Sequence, residues 1–311
     1  MIAALARLPD LVLGINRRNH DYLFRFNRRD RFALVDDKIA TKERLAAHDV
    51  PHPPALEVCD APWRLRELAP RLRAHGAFAM KPACGAGGGG IVVVVGLRDG
   101  RFETAGGRTL DWRELAAHAA DVLAGVYSMA GREDRVLVEG LVVGDPELAR
   151  LSYRGVPDLR VVVLRGVPLL AMLRLPTRRS DGRANLHLGG LGVGIDLASG
   201  RTTTAISGRR EVTMHPDLGV PLAGTVIPGW DQALRTAVRA ADAIGLGFVG
   251  VDLVLDAAHG PLVLELNARP GLAIQLANRR GMRPLLERVA QAAVPPSPEA
   301  RIALGRALVA E

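Results

Sequence analysis

The sequence predicts a globular fold that combines helices with β-strands. Two patterns lead to this prediction: amphipathic helical spacing, clearest over 230–244, and short β-prone runs that dominate the chain after residue 136. With 311 residues, 48% of them hydrophobic and 24% charged, the chain can form one large or two small domains around a buried core. The same composition excludes a chain that is disordered throughout.

The first third of the chain predicts an arm, two helices and three strands. The first 35 residues, rich in arginine, predict a mostly irregular arm that opens with a short helix. Asp36 or Asp37 can cap a helix that runs to about His48, before the prolines at 51, 53 and 54. The further elements are a strand over 55–59, a helix over 62–75 that Gly76 ends, and two strands, 78–82 and 91–96, which form a hairpin-like unit around a glycine stretch.

The rest of the chain predicts mostly strands, with helices at intervals. A helix over 111–123 leads to a strand over 136–143. The later predicted elements are β-prone pieces at 148–155, 158–166 and 167–175, a polar glycine-rich loop at 176–194, a helix over 230–244, paired buried strands at 248–256 and 261–267, and closing helices.

Charge and cysteine content restrict the cellular setting and the partners. Two cysteines cannot form a disulfide framework, and the apolar start of the chain is interrupted by charged residues and proline, so we expect a cytoplasmic protein without a signal peptide or membrane insertion. The net charge of +8 predicts an anionic partner. Because aromatic residues make up only 4%, stacking platforms are scarce, which argues against nucleic acid.

Lysine is rare, and one lysine precedes a glycine stretch. Of 41 basic residues only Lys38, Lys42 and Lys81 are lysines, which marks them as candidates for sites that need a compact ammonium group. Five glycines between 85 and 90 follow Lys81, so backbone amides and one ammonium could bind the same polyphosphate. A merely flexible connection is the alternative. Cys84 lies beside this stretch, and without a positioned histidine it is predicted to be a small packing residue.

Acidic side chains interrupt two apolar strands near the end of the chain. Residues two apart in a strand share a face, so Glu265 and Asn267 are expected to project together, with Leu264 and Leu266 buried opposite. Asp252 is placed to lie on the neighbouring antiparallel strand. Two carboxylates and an amide oxygen are ligands that magnesium accepts. A solvated carboxylate pair at the sheet edge is the alternative.

Arginines form a third group of candidates. Arg160 and Arg174 lie within apolar strands, where charged side chains are rare unless they are paired, so these two arginines are candidates for a functional role. Arg178, Arg179, Arg183 and Asn185 lie in the polar loop, where solvated surface is the simpler interpretation for Arg178 and Arg179.

Together these pieces resemble the ATP-grasp superfamily of carboxylate–amine ligases, and within it the α-L-glutamate ligase-like proteins, which are related to the ligases that add glutamate to ribosomal protein. The segments that carry the resemblance are LGINRRN (13–19), VDDKIATKERL (35–45), FAMKPACGAGGGG (78–90), DLRVVV (158–163), AMLRLPTRRSDGRANLHLGG (171–190), GVDLVLD (250–256) and LELNARPGLAIQLAN (264–278). The likeness covers nearly the whole chain.

The resemblance implies an α+β protein with the ATP-grasp fold, in which two α+β subdomains grip a nucleotide. The implied divisions are an N-terminal arm (1–35), a helix with the Asp-Lys pair and a linker (36–54), a lid subdomain (55–138) and a core subdomain (139–311). Because only some 35 residues precede the helix with the Asp-Lys pair, we expect no separate N-terminal substrate domain of the kind usual in this family.

The resemblance also implies roles for particular residues. Lys42, with Lys38 as a second candidate, and Lys81 would contact phosphates together with Gly87, Gly88 and Gly89; the adenine would be read at Val138, Glu139, Gly140, Leu141 and Val142, and the ribose at Asp145 or Glu147. Asp252, Glu265 and Asn267 would hold the metal, and Arg160, Arg174, Arg183 and Asn185 would stabilise the reacting groups.

The implied activity is an ADP-forming ligase that makes an amide through an acylphosphate. Its cofactors would be ATP and Mg²⁺, for which Mn²⁺ can substitute, and its substrate a small acidic amino acid such as glutamate, joined to a peptide or protein. The alternative is a nucleotide-binding regulatory protein that keeps the fold and transfers nothing. Whether the protein forms an oligomer is left open.

Overall fold

The chain divides into two compact units. In this computed structural model, residues 10–85, 87–128 and 131–310 are described. The smaller unit comprises 36–43 and 53–143, and the larger comprises 44–52, 144–310 and the described residues before 36. Both units combine helices with an antiparallel sheet, so the α+β prediction is confirmed.

The smaller unit contains a six-stranded antiparallel sheet with the order β1-β6-β2-β3-β4-β5. Its strands are β1 (Ala55–Cys59), β2 (Phe78–Pro82), β3 (Val92–Arg98), β4 (Arg101–Thr104), β5 (Thr109–Leu110) and β6 (Val136–Gly140). β2 and β3 pair directly, with Phe78 opposite Val94, which confirms the predicted hairpin-like unit around the glycine stretch.

Two helices complete the smaller unit's core. Leu65–His75 follows a 3-10 turn at Pro62–Arg64, and Trp112–Leu123 begins with a capping box in which the Asp111 side chain accepts from the Glu114 amide. Their apolar faces pack on the sheet around Phe78 and Phe102, whose rings meet edge to face at 6.0 Å. Both predicted helices are therefore confirmed.

The helix with the Asp-Lys pair runs over Lys38–Ala46. Asp37 caps it, because its Oδ1 accepts from the amides of Ile39 at 2.9 Å and Ala40 at 3.3 Å. Of the two candidate caps in the sequence, the structure selects Asp37.

The larger unit is built on a seven-stranded antiparallel sheet with the order β11-β10-β9-β8-β7-β12-β13. Its strands are β7 (Asp158–Leu164), β8 (Val167–Leu175), β9 (Leu191–Ile195), β10 (Thr202–Ser207), β11 (Arg210–Val212), β12 (Phe248–Asp256) and β13 (Gly260–Asn267). β12 and β13 pair as predicted.

Helices cover both faces of this sheet. Trp230–Ile244, the predicted amphipathic helix, packs on one face, where Val161 and Val163 also point. Val162 and Leu164 alternate to the other face and pack with the helix Arg283–Gln291. Further helices are Ile274–Ala277 and Pro298–Ala310, so the prediction that helices close the chain is confirmed.

The described part of the N-terminal arm is mostly helical, so the prediction of a mostly irregular arm is wrong. Its helical segments are Ile15–Arg17, a π-helical turn at Arg18–Leu23, Phe24–Phe26, a 3-10 turn at Arg29–Arg31, and Phe32–Asp36. Tertiary packing stabilises it, since Leu13, Tyr22 and Leu23 are buried in the larger unit's core. The first nine residues of the predicted arm, and its opening helix, lie outside the described residues.

Two other predicted segments differ from the structure. The β-prone piece at 148–155 is not a strand: Asp145 caps a short helix, Pro146–Ala149, and turns follow it. The polar loop is shorter than predicted, because Leu191, Val193 and Ile195 are buried and pair with β8 as β9. None of the helices in the described ranges combines the length and apolar character that crossing a membrane requires.

Candidate active site

Two of the three lysines converge on one carboxylate in the smaller unit. Lys42 Nζ lies 2.9 Å from Glu139 Oε1, and Lys81 Nζ contacts the other oxygen of the same carboxylate. β2 and β6 make this possible, because Lys81 and Glu139 lie on the same face of this strand pair, two residues apart in the register. All three side chains are less than 10% exposed.

Burial perturbs the charges of this group. Burial and the neighbouring Lys81 lower the pKa of Lys42 to about 8, although the Glu139 carboxylate opposes the change. Burial by itself would raise the pKa of Glu139, but the two ammonium groups outweigh it and lower that pKa. Lys42 also donates to the Pro53 carbonyl at 2.6 Å, which fixes its position.

The glycine stretch forms a tight series of turns. Gly87, Gly88 and Gly90 adopt positive φ values of 67°, 80° and 73°, a region that strains other residues. Lys38 Nζ donates to the Gly85 carbonyl at 2.5 Å, so the second candidate lysine lies at this stretch. Gly89 lies among the same turns.

Asp134 anchors the start of this stretch, and the sequence analysis did not identify it. Its carboxylate accepts from the Cys84 amide at 3.0 Å and from the Ser128 hydroxyl at 2.9 Å. Burial and Asp134 raise the pKa of the Cys84 thiol to about 11, which is the reverse of what a nucleophilic thiolate requires. This supports the prediction that Cys84 is a packing residue.

The residues predicted to read the adenine and the ribose differ in their environment. Val138 is buried in the sheet, Leu141 and Val142 are half-buried beyond the end of β6, and the Gly140 amide donates to the Pro54 carbonyl at 3.0 Å. The Asp145 carboxylate accepts from the Glu147 amide at 2.9 Å as a helix cap, whereas the Glu147 side chain is exposed, 3.3 Å from Arg150. Of the two ribose candidates, Glu147 is the one whose carboxylate is not a helix cap.

A row of charged side chains crosses the larger unit's sheet. Arg160 on β7 is opposite Asp252 on β12, and Asp252 is opposite Glu265 on β13. Asp158 on β7 is opposite Arg174 on β8. Because residues two apart share a face, these five side chains lie on one face. Asp158 was not among the residues predicted from the sequence, although its spacing from Arg160 could have revealed it.

The two arginines both bind Asp252. Arg160 donates from Nε to Oδ1 at 2.6 Å and from a terminal nitrogen to Oδ2 at 2.5 Å, and Arg174 donates to Oδ2 at 2.8 Å while it also pairs with Asp158. Burial alone would raise the pKa of Asp252, but the guanidinium groups outweigh it and hold the pKa at about 2. Burial raises the pKa of Asp158 to about 7, although Arg174 opposes the change.

A β-bulge in β13 determines where the predicted metal ligands Glu265 and Asn267 lie relative to Asp252. The register of β12 and β13 shifts so that Leu264 is the extra residue between Val263 and Glu265, and bulges re-aim side chains in this way. Leu266 is buried as predicted, whereas Leu264 is only half-buried. The prediction that Leu264 lies buried opposite is wrong because strict alternation fails at a bulge.

The donor set fits a magnesium ion in part. The Asn267 amide nitrogen donates to Asp252 at 3.1 Å and to Glu265 at 3.2 Å, which leaves its oxygen and the Glu265 carboxylate for a cation. Both oxygens of Asp252 already accept from arginines, so Asp252 would join a metal only by exchanging one of these partners. Within the described ranges, no three His, Cys, Asp or Glu side chains are grouped so that they could hold a metal.

The polar loop does not bring its candidates into this row of charges. Arg183 is exposed, 3.9 Å from Asp181, and the Asn185 side chain accepts from the His187 amide at 2.9 Å. Arg178 is also exposed and lies 5.5 Å from the ring of Tyr153, while Arg179 packs near Gly189. Of the predicted catalytic residues, Arg160 and Arg174 are the two whose hydrogen bonds in the described part of the chain place them in this row of charges.

Comparison with known proteins identifies relatives of this chain. A family model described as sugar-transfer associated ATP-grasp matches residues 17–291. A probable alpha-L-glutamate ligase of Maridesulfovibrio salexigens is 28% identical over 184 residues, which cover 59% of this chain and 44% of that protein. A protein with the same name from Xanthomonas axonopodis pv. citri is 36% identical over 115 residues, or 37% of this chain and 28% of that one.

The matched regions cover only part of these relatives. The chain spans less than half the length of the curated relatives named above. Among solved structures, the ATP-grasp ligase PsnB complexed with minimal precursor is 19% identical, with a TM-score of 0.46, and the match covers 86% of this chain and 64% of that one.

Proposed function

Because the chain belongs to the sugar-transfer associated ATP-grasp family, we propose that it is an ATP-dependent carboxylate–amine ligase. The observation that carries the proposal is the convergence of Lys42 and Lys81 on Glu139. Two ammonium groups and one carboxylate leave a net positive charge in a buried place, and a phosphate group would compensate it.

The proposal assigns the nucleotide phosphates to these lysines and to the glycine stretch. The glycines support this assignment, because a stretch without side chains lets an anion approach the backbone amides closely. Leu141 and Val142 would contact the adenine, and Glu147 the ribose. Magnesium, when bound to Glu265 and Asn267, would neutralise charge on the phosphates.

The proposed reaction has two steps. An oxygen of the substrate carboxylate takes the γ-phosphoryl group of ATP, and ADP leaves. The amine then attacks the acyl carbon, inorganic phosphate leaves, the amine loses a proton and an amide remains. Arg160 and Arg174 would stabilise the negative charge of the acylphosphate, with Arg183 and Asn185 from the polar loop. The hydrogen bonds that both make with Asp252 support a preorganised role for the first two.

The proposed substrates are an acidic amino acid such as glutamate and a peptide or protein. The names of the curated relatives support glutamate, and the net charge of +8 supports an acidic substrate over a neutral one.

A thermal-shift and turnover experiment tests this proposal. MgATP should raise the melting temperature of the wild type, and Lys81→Ala should remove most of the shift, because a ligand that binds only the folded state stabilises it by mass action. Arg98→Ala, an exposed change in the same sheet, is the matched control and should keep the full shift. ADP release would then be screened against amino acids and acidic peptides.

One observation favours a second candidate, a nucleotide-binding regulatory protein. Both oxygens of Asp252 accept from arginines, an arrangement that a protein without phosphoryl transfer can retain. If MgATP raises the melting temperature but no acid stimulates ADP release, this second candidate replaces the ligase.

A further inference from the structure

Arg18, in the π-helical turn of the arm, contacts the segment that follows the predicted metal ligands. One of its terminal nitrogens donates to the Pro270 carbonyl at 3.1 Å, three residues after Asn267. Its Nε and its other terminal nitrogen donate to the side-chain oxygen of Asn19 at 3.0 and 2.8 Å. Asn19 thus fixes the orientation of the guanidinium group.

Arg18 is half-buried, and the described ranges contain no acidic partner for it. Among the residues that the structure describes, no carboxylate lies within ion-pair distance of Arg18, and its contacts are with neutral oxygens. Burial, and then repulsion by the nearby Arg269, lower the pKa of Arg18. A half-buried cation without a counter-ion raises the energy of the empty protein, and an anion would relieve this.

The guanidinium group retains capacity for a ligand. An arginine has five N–H donors, and the contacts with Asn19 and Pro270 use three of them, one on each nitrogen. One N–H therefore remains on each terminal nitrogen, and these two donors are available to an anion such as a carboxylate.

The segment that Arg18 contacts also borders the row of charged side chains that crosses the larger unit's sheet. Pro270 packs against β12 so closely that a Cβ at Gly250 would come within 2.9 Å of its ring. A Cβ at the next residue, Gly271, would lie 3.8 Å from a terminal nitrogen of Arg160. Arg18 therefore contacts Pro270, and Arg160 lies close to the next residue of the same short segment.

Anchoring the arm does not require Arg18. The buried side chain of Gln275 accepts from the Leu13 amide at 2.9 Å and donates to the Leu13 carbonyl at 3.1 Å. Asn27 makes a matching pair of hydrogen bonds with the Phe248 backbone, both at 2.7 Å. These four bonds, with the buried Leu23, fasten the arm on both sides of Arg18.

We propose that Arg18 binds a carboxylate of the substrate, so that the N-terminal arm forms part of the substrate site. This inference rests on the proposed ligase function and adds to it a residue outside the two sheets. The substrate class that it selects is an acidic amino acid or an acidic peptide.

An isosteric substitution separates substrate binding from a structural role. Asn19→Asp keeps the hydrogen bonds from Arg18 but supplies a resident carboxylate, which would compete with the substrate for the guanidinium group. If Arg18 were only structural, this variant would bind ligands like the wild type. Arg17→Ala is the matched control. It changes the net charge by the same amount at an exposed residue directly before Arg18. Arg18→Lys keeps the charge and removes the fork.

The probes are glutarate and its diamide, glutaramide, titrated by calorimetry into protein saturated with the ATP analogue MgAMPPNP. Glutarate should bind the wild type and Arg17→Ala, and about tenfold more weakly Asn19→Asp and Arg18→Lys. Glutaramide should bind none of them measurably, and the affinity for MgAMPPNP should be the same in all four proteins.

Three results would overturn the inference: glutarate affinity unchanged in Asn19→Asp, no glutarate binding to the wild type, or a parallel loss of MgAMPPNP affinity, which would assign Arg18 to a phosphate. A wild type that fails to bind MgAMPPNP contradicts the proposed function instead. The glutarate comparison is then made without nucleotide and still decides whether Arg18 binds a carboxylate.

Discussion

The buried group of Lys42, Lys81 and Glu139 contains more positive than negative charges. One carboxylate serves two ammonium groups, both less than 10% exposed. A structural ion pair balances its charges, because an uncompensated buried charge destabilises the fold. The imbalance is the reason for the proposal that a phosphate group completes this cluster of charges.

Replacing the shared carboxylate tests how strongly it stabilises the lysines. Glu139→Gln should lower the free energy of unfolding by about 3 kcal/mol, because two buried ammonium groups lose their counter-ion. Denaturant unfolding measures the change. Glu147→Gln, at an exposed position, should change it by less than about 0.5 kcal/mol. Equal stability of the two variants would show that Glu139 does not hold the lysine pair.

The lowered pKa of Lys42 predicts a pH dependence of nucleotide binding. Bound phosphates favour the charged ammonium, so binding takes up a proton wherever free Lys42, with its pKa of about 8, is neutral. The affinity for MgATP should therefore fall as the pH rises from about 7 to about 9. Calorimetry in buffers of different ionisation enthalpy measures the proton uptake. In Lys42→Arg, which does not titrate in this range, uptake should disappear; its persistence would exclude Lys42 as the source.

At the scale of elements, the strands β7, β8, β12 and β13 bring together charges that lie far apart in the chain. Cross-strand pairing places Arg160 opposite Asp252 and Asp252 opposite Glu265. The two carboxylates nevertheless have different environments. Asp252 is fully buried between arginines, whereas Glu265 is half-buried and accepts from the neutral amide of Asn267.

These environments predict opposite effects of two isosteric substitutions. Asp252→Asn should lower the free energy of unfolding by about 3 kcal/mol, because it leaves two arginines with a reduced counter-charge. Glu265→Gln should leave stability within about 1 kcal/mol of the wild type but abolish magnesium-dependent ADP release. Unfolding and turnover are measured on both variants. Turnover close to wild type in Glu265→Gln would reject its assignment to the metal.

The elements also show where sequence patterns succeed. The helix Trp230–Ile244 was predictable because its apolar residues recur with the helical period, and the strands β12 and β13 were predictable because they are short, nearly continuous apolar runs. The bulge at Leu264 was not, because the register depends on the partner strand. Nor was the helical arm, whose stability comes from burying Tyr22 and Leu23 against distant segments.

At the scale of the whole molecule, the net charge of +8 predicts electrostatic capture of an acidic substrate. The Michaelis constant for L-glutamate in ADP release should rise between about 50 and 300 mM salt, whereas that for L-glutamine should change little. Arg179→Ala, at an exposed position in the polar loop, should raise the constant for glutamate more than that for ATP. Equal salt dependence for both amino acids would mean that the positive net charge does not serve substrate capture. Tight binding of DNA or RNA that competes with ATP would contradict the prediction that the partner is not a nucleic acid.

The sequence by itself determined the α+β class, the ATP-grasp family, most helices and strands, and the candidate residues, because local periodicity and short motifs carry this information. Only the tertiary structure decided which candidates meet. It brought Lys42 to Glu139 and both Arg160 and Arg174 to Asp252, left Arg183 exposed, and added Asp158 and Asp134. The reason is physical: charges pair across strands and between segments remote in sequence, and the register and packing that set those distances are absent from any local pattern.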